Sequence, residues 1–212
     1  MKAVLFDFDG TLVDSMPIYA ETMLGILDRC GVSYADDIIK TITPLGTMGT
    51  AEYFKKIGVN KSTEEILMMM GEGMILAYSE RIPSKAGVAE TLRKLSERGY
   101  GLHVLTASPH ITLDPCLKRL GLYDFFGNVW SCDDFGTTKS DPSIYHSVAE
   151  RIGLPIEQIL FVDDNIHADL CAKGAGMRVC GIFDESSADA ASEMKRSCHY
   201  YVEEFSQLLD LL

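Results

Sequence analysis

Hydrophobic residues make up 47% and charged residues 24% of the 212 positions, which is the composition of one globular domain with room for a smaller insert and excludes wholesale disorder. A formal charge of −12 excludes the basic surface that a nucleic-acid backbone or an anionic membrane requires. No apolar run is long enough to span a bilayer, and Asp7 and Asp9 interrupt the first one too early for a secretory signal. The expectation is a soluble, cytoplasmic protein with neither nucleic acid nor membrane as a partner.

In chain order, residues 3–6 form a continuous apolar run, as a strand covered on both faces of a parallel sheet requires. Residues 15–82 then carry only helical patterns, at 18–29, 36–41, 47–57 and 62–80, enough for a small all-α insert. The methionines at 68, 69, 70 and 74 within it have the spacing of adaptable core. Pro83 and the segment 84–87 mark the return. From there strands at 102–105, 129–130, 159–162, 178–182 and 200–202 alternate with helices at 88–98, 112–120, 142–152 and 167–175, and a last helix runs from 205 to the end. Gly99, Gly121, Gly153 and Gly176 each follow a helical run, where a left-handed C-cap belongs. This predicts an α/β fold: a Rossmann-like open parallel sheet with helices on both faces, built from 1–14 and 83–212, plus the helical insert 15–82. Six scattered cysteines without a CxxC pair read as free thiols rather than a zinc site.

Ligands of open α/β sheets bind beyond the carboxyl ends of the strands, so polar residues that directly follow the apolar runs are the candidates. Asp7 and Asp9 follow the first run, two residues apart, so that their side chains are expected on one side with Phe8 turned into the core. Two carboxylates so close stay ionised only beside a cation. Asp163 and Asp164, after another run, add oxygen ligands of the kind that suit Mg²⁺. Gly10 permits a sharp turn and Thr11 offers a hydroxyl to brace it. Thr106 supplies a hydroxyl and Lys139 a fixed positive charge. A metal, a lysine, a hydroxyl and free amides around one carboxylate make a site for phosphoryl transfer.

With these residues in place, the chain resembles the haloacid dehalogenase-like hydrolases, in their helical-cap branch of phosphoglycolate phosphatases and β-phosphoglucomutases. VLFDFDGTLVDS is similar to the family's first motif, LHVLTAS to its second, TKSDPSIY to its third and ILFVDDN to its fourth. The resemblance implies that Asp7 is the nucleophile that becomes an aspartyl phosphate, and that Asp9 is the general acid and base. It assigns Thr106, Ala107 and Lys139 to phosphate binding. It assigns Asp7, Asp9 (through its backbone carbonyl), Asp163 and Asp164 to Mg²⁺, leaving open which of the last two ligates directly. In this chain Asp163 stands where many relatives have glycine and Ala168 where they have aspartate; Asp169, one residue later, reads as a solvated helix residue.

Asp9 implies an oxygen leaving group, because halide departs without a proton. A phosphosugar mutase is the alternative, but the mutase-like stretch TPLGTMGTAEYF contains no arginine or lysine and offers only Thr47 and Thr50 toward a substrate. His110 is a third candidate on the substrate side. A non-catalytic phospho-ligand binder is the non-enzyme alternative, disfavoured because every chemical group is present. The expectation is a phosphatase of a small phosphorylated metabolite, a monomer or weak homo-oligomer.

Overall fold

The computed structural model describes residues 1–212. It divides into two compact units, Met1–Asp14 with Pro83–Leu212, and Ser15–Ile82. The second unit holds α1 (Met16–Arg29), α2 (Ile38–Ile42), α3 (Gly46–Lys56) and α4 (Thr63–Glu80). Its core joins Met23, Ile26 and Leu27 of α1 to Ile38, Ile42, Ala51, Phe54, Ile66 and Met70. Of the methionine group only Met70 is fully enclosed, while Met69 and Met74 pack at its margin and Met68 is exposed. A capping box starts α4: the Glu65 N–H donates to Ser62 Oγ at 3.1 Å and the Ser62 N–H donates to Glu65 Oε2 at 2.7 Å, which pairs two N–H groups the helix cannot.

The first unit contains a six-stranded sheet with β1 (Ala3–Phe6), β2 (Gly101–Thr106), β3 (Asn128–Ser131), β4 (Ile159–Asp163), β5 (Arg178–Ile182) and β6 (Tyr200–Val202). The order is β3-β2-β1-β4-β5-β6 and every pair is parallel. Around it lie α5 (Val88–Glu97), α6 (His110–Arg119), α7 (Pro142–Ile152), α8 (Ile166–Ala175), α9 (Ala191–Ser197) and α10 (Leu208–Leu211). One face of the sheet, with Leu5, Leu105, Phe161 and Val179, meets Tyr145 and Val148 of α7 and Ala172 of α8. On the other face Phe6 stacks on Phe205 at 5.5 Å and meets Phe126 edge-on at 6.3 Å. Burial on both faces is why the strands read as unbroken apolar runs rather than alternating ones.

The four predicted cap glycines all have positive φ, from +68° to +107°. The stretch expected as one terminal helix begins instead as a 3-10 turn, Phe205–Gln207, before α10. The sequence pattern missed α9, because the alanine- and serine-rich segment buries only Met194 and so shows no apolar period. Asp169 corrects the expectation of a solvated residue: it is fully buried on α8, where the Cys198 thiol lies 3.3 Å from its Oδ2. Burial, and then the charge of Asp163, hold its carboxyl well above the usual range.

In this order the chain winds outward from β1 to β3, then crosses back and continues from β4 to β6. The reversal beside β1 opens a crevice at the carboxyl ends of β1 and β4, the place where this topology binds ligands.

Candidate active site

Asp7 leaves β1 at that crevice, and its backbone N–H donates to the Val162 carbonyl of β4 at 2.9 Å. Its side chain is 6% exposed. Lys139, in the loop before α7, reaches in from the opposite rim. Its ammonium donates to Asp7 Oδ1 at 2.7 Å and to Asp163 Oδ2 at 2.6 Å. The segment that carries it is tied to α7. The Tyr145 hydroxyl donates to the Lys139 carbonyl at 2.8 Å, and Asp141 caps α7 by accepting the Ser143 N–H at 2.9 Å. The other oxygen of Asp163 accepts the Asn165 N–H at 2.7 Å.

Carboxylate oxygens of Asp7, Asp163 and Asp164 lie within 4.8 Å of one another. Three carboxylates against the single ammonium of Lys139 leave an excess of two negative charges in a buried place. The titration of the group reflects it. Burial, with Asp163 and Asp164 adding to it against the pull of Lys139, holds the Asp7 carboxyl well above the usual carboxylate range. Burial, then Asp163 and Asp184, push Asp164 up to about 7. Burial works against the charge of Lys139, but Asp163 and Asp7 outweigh it and keep the ammonium protonated above the ordinary lysine range. An all-oxygen donor set with two uncompensated charges fits a hard divalent cation.

Gly10 accounts for the close approach of the turn after Asp9. Its φ is +77°, and a Cβ there would stand 2.7–2.9 Å from the Asp164 carboxylate. The turn is closed by backbone bonds, Gly10 N–H to Val13 O and Leu12 N–H to Phe8 O. The Thr11 hydroxyl does not brace it, because that buried oxygen has no protein partner. Asp9 falls within this turn, past the end of β1. Its Oδ2 accepts the Ser108 hydroxyl at 2.5 Å, and Ser108 N–H donates to Thr106 Oγ1 at 3.0 Å. Thr106 is buried at the end of β2 and Ala107 is exposed beside it. Ser108 belongs to the same strand end, as the last residue of LHVLTAS.

Of the three further candidates, His110 begins α6 with Nδ1 2.8 Å from Asp114 and Nε2 2.8 Å from Asp134, so both ring nitrogens are taken up by carboxylates. Thr47 is exposed on α3. Thr50 is fully buried and donates its hydroxyl to the Ile42 carbonyl at 3.1 Å, which spends that group inside the helical unit.

The sequence profile of the haloacid dehalogenase-like hydrolases matches residues 1–176. A pyrophosphatase PpaX of Bacillus velezensis is 29% identical, over 86% of this chain and 83% of its own length. A phosphoglycolate phosphatase of Pseudomonas savastanoi is 31% identical, over 83% of this chain and 67% of its own. Among solved structures, a candidate β-phosphoglucomutase of Thermotoga maritima superposes with a TM-score of 0.87 at 24% identity, covering 100% of this chain and 98% of the other. The chain therefore belongs to the haloacid dehalogenase-like hydrolase family and is an enzyme of its phosphatase class.

Proposed function

We propose that the protein is a Mg²⁺-dependent phosphohydrolase that cleaves a small phosphomonoester through an aspartyl phosphate on Asp7. The observation that carries this reading is the cluster of Asp7, Lys139, Asp163 and Asp164, buried at Asp7 and Asp163, with a separately held carboxylate, Asp9, two residues from Asp7. Asp7 and Asp164, the backbone carbonyl of Asp9 and, through its charge, Asp163 would hold the metal. When bound, Mg²⁺ supplies the positive charge that lets phosphoryl oxygens approach these carboxylates.

The residues divide the work by position. An Asp7 oxygen attacks phosphorus as the bond to the leaving oxygen breaks, and Asp9 gives that oxygen its proton. Lys139, already directed at Asp7, binds the equatorial oxygens together with Thr106 and the backbone at Ala107. Asp9, now ionised, takes a proton from water, which attacks phosphorus and restores Asp7. The proton count closes over the cycle. Hydrolysis is favoured over mutase chemistry because residues 43–54 contain no cation to hold a second phosphate.

Phosphate release from a panel of sugar phosphates, nucleotides and small phospho-acids, with Mg²⁺ and with chelator, tests the reading. Release that requires Mg²⁺ from one compound class is the expected result. A folded protein that releases phosphate from none of them, yet isomerises a sugar phosphate when a bisphosphate is added, would overturn it in favour of the mutase.

A further inference from the structure

Lys85 lies outside the cluster described above, in the segment that follows Pro83, and no sequence motif points to it. An ammonium has three N–H donors, and Lys85 spends all of them on the protein. Nζ is 2.7 Å from the Gly10 carbonyl, 2.8 Å from the Phe183 carbonyl and 2.9 Å from Asp184 Oδ2. Its side chain is 21% exposed and that of Asp184 7%. Nothing remains on this lysine for a substrate oxygen, so whatever it does is done through the groups it holds.

Those groups belong to the turn after β1 and the end of β5. Asp184 is itself fixed, since its Oδ1 accepts the Ser186 N–H at 2.9 Å and the Ser186 hydroxyl at 2.5 Å. Backbone contacts from the same segment run in parallel: the Lys85 N–H donates to the Leu12 carbonyl at 3.0 Å, the Asp14 N–H to the Pro83 carbonyl at 3.0 Å, and Val13 bridges Ser84. The critical acceptor is Gly10. It follows Asp9 directly, and its Cα packs so tightly on the Asp164 carboxylate that no side chain fits. Its carbonyl meanwhile is drawn to Lys85.

We propose that Lys85, with Asp184 as its counter-charge, is a positioning residue that holds the Gly10 turn against Asp164 and thereby sets the spacing of the oxygens that receive the divalent cation. This rests on the reading of Asp7, the Asp9 carbonyl and Asp164 as the metal site. Two rival roles predict different signs. A positive charge acting only through its field repels Mg²⁺, so its removal would tighten metal binding. A staple that matters only for folding would change stability and leave metal affinity alone. A positioning residue weakens metal binding when it is removed.

The test is calorimetric titration of Mg²⁺ into the metal-free protein, with melting temperature and steady-state kinetics measured alongside. Lys85→Met is expected to bind Mg²⁺ about 10- to 100-fold more weakly, the equilibrium worth of a charge-assisted hydrogen bond. Its kcat falls at saturating metal while KM changes by less than about threefold. Asp184→Asn, which keeps both carbonyl bonds, is expected to lose less than about tenfold. Should Lys85→Met fail to fold, Lys85→Arg keeps the charge but cannot place three donors on these acceptors, and is expected to weaken binding as well. Wild-type affinity, or tighter, in a folded Lys85 variant overturns the inference. Absence of Mg²⁺ binding in the wild type overturns the metal reading beneath it, so the two failures are told apart.

Discussion

Asp7 and Lys139 share one 2.7 Å contact, and their substitutions are predicted to move stability in opposite directions. Asp7→Asn removes a charge that burial and two neighbouring carboxylates already disfavour, so the melting temperature holds or rises while phosphate release falls by at least about 10³-fold. Lys139→Met leaves Asp7 and Asp163 in the interior without their shared cation, and urea denaturation is expected to show a loss of about 3 kcal/mol or more. Equal stability in the two variants would contradict the charge count of the cluster. Gly10→Ala combines a left-handed backbone with a collision against Asp164. The backbone alone costs about 1–2 kcal/mol, measurable in the same denaturation series, and activity falls with it.

The elements deliver these residues by a single rule, that each strand ends where a polar residue begins. Asp7, Thr106, Asp163 and Asp184 all stand at or within two residues of the carboxyl ends of β1, β2, β4 and β5. The first three fall in motifs legible in the sequence, whereas Asp184 joins none and is set off from β5 by Phe183. Between β2 and β3 the elements are tied by His110, whose ring meets Asp114 of its own helix and Asp134 of the turn after β3. Hydrogen bonds to both carboxylates raise its pKa above 6.5. The protonated form makes the clamp, so its contribution is fully present below 6.5 and is lost as pH rises through the raised value. An NMR titration is expected to find the His110 pKa above 6.5 and to see it fall in Asp134→Asn; an unchanged value in that variant would remove the clamp from the account. In the helical unit, Ser62→Ala undoes the capping box of α4 and is expected to cost about 1 kcal/mol.

For the whole molecule, Asp164 adds to the pH dependence of the metal-free protein. Its pKa is raised from 3.8 to about 7, so the fold prefers the protonated acid. That contribution is fully present below 3.8 and is lost as pH rises through about 7. Metal-free protein is therefore expected to melt at a lower temperature at pH 8 than at pH 6, and Mg²⁺ to reverse the loss more strongly at pH 8, where the carboxylate is free to bind it. A melting temperature independent of pH across this range, with and without metal, would argue against the acidic cluster as a cation site. No helix is long and apolar enough to cross a membrane.

Periodicity alone determined the parallel sheet and the all-helical stretch after Asp9, because burial on two faces and burial on one stripe leave different patterns along a chain. The residues at the strand ends were legible for the same reason, as a polar residue that interrupts an apolar run is local information. Pairing is not local. Which oxygen of Asp163 meets Lys139, that Ser108 donates to Asp9, and that Lys85 reaches three acceptors 75 to 99 residues away in the chain depend on crossovers that bring distant segments together. Asp169 makes the same point in reverse, since a charged residue on a helix reads as solvated until the packing of α8 encloses it. The sequence names the groups available for chemistry, and only the tertiary fold decides which of them share a buried space and so must share its charge.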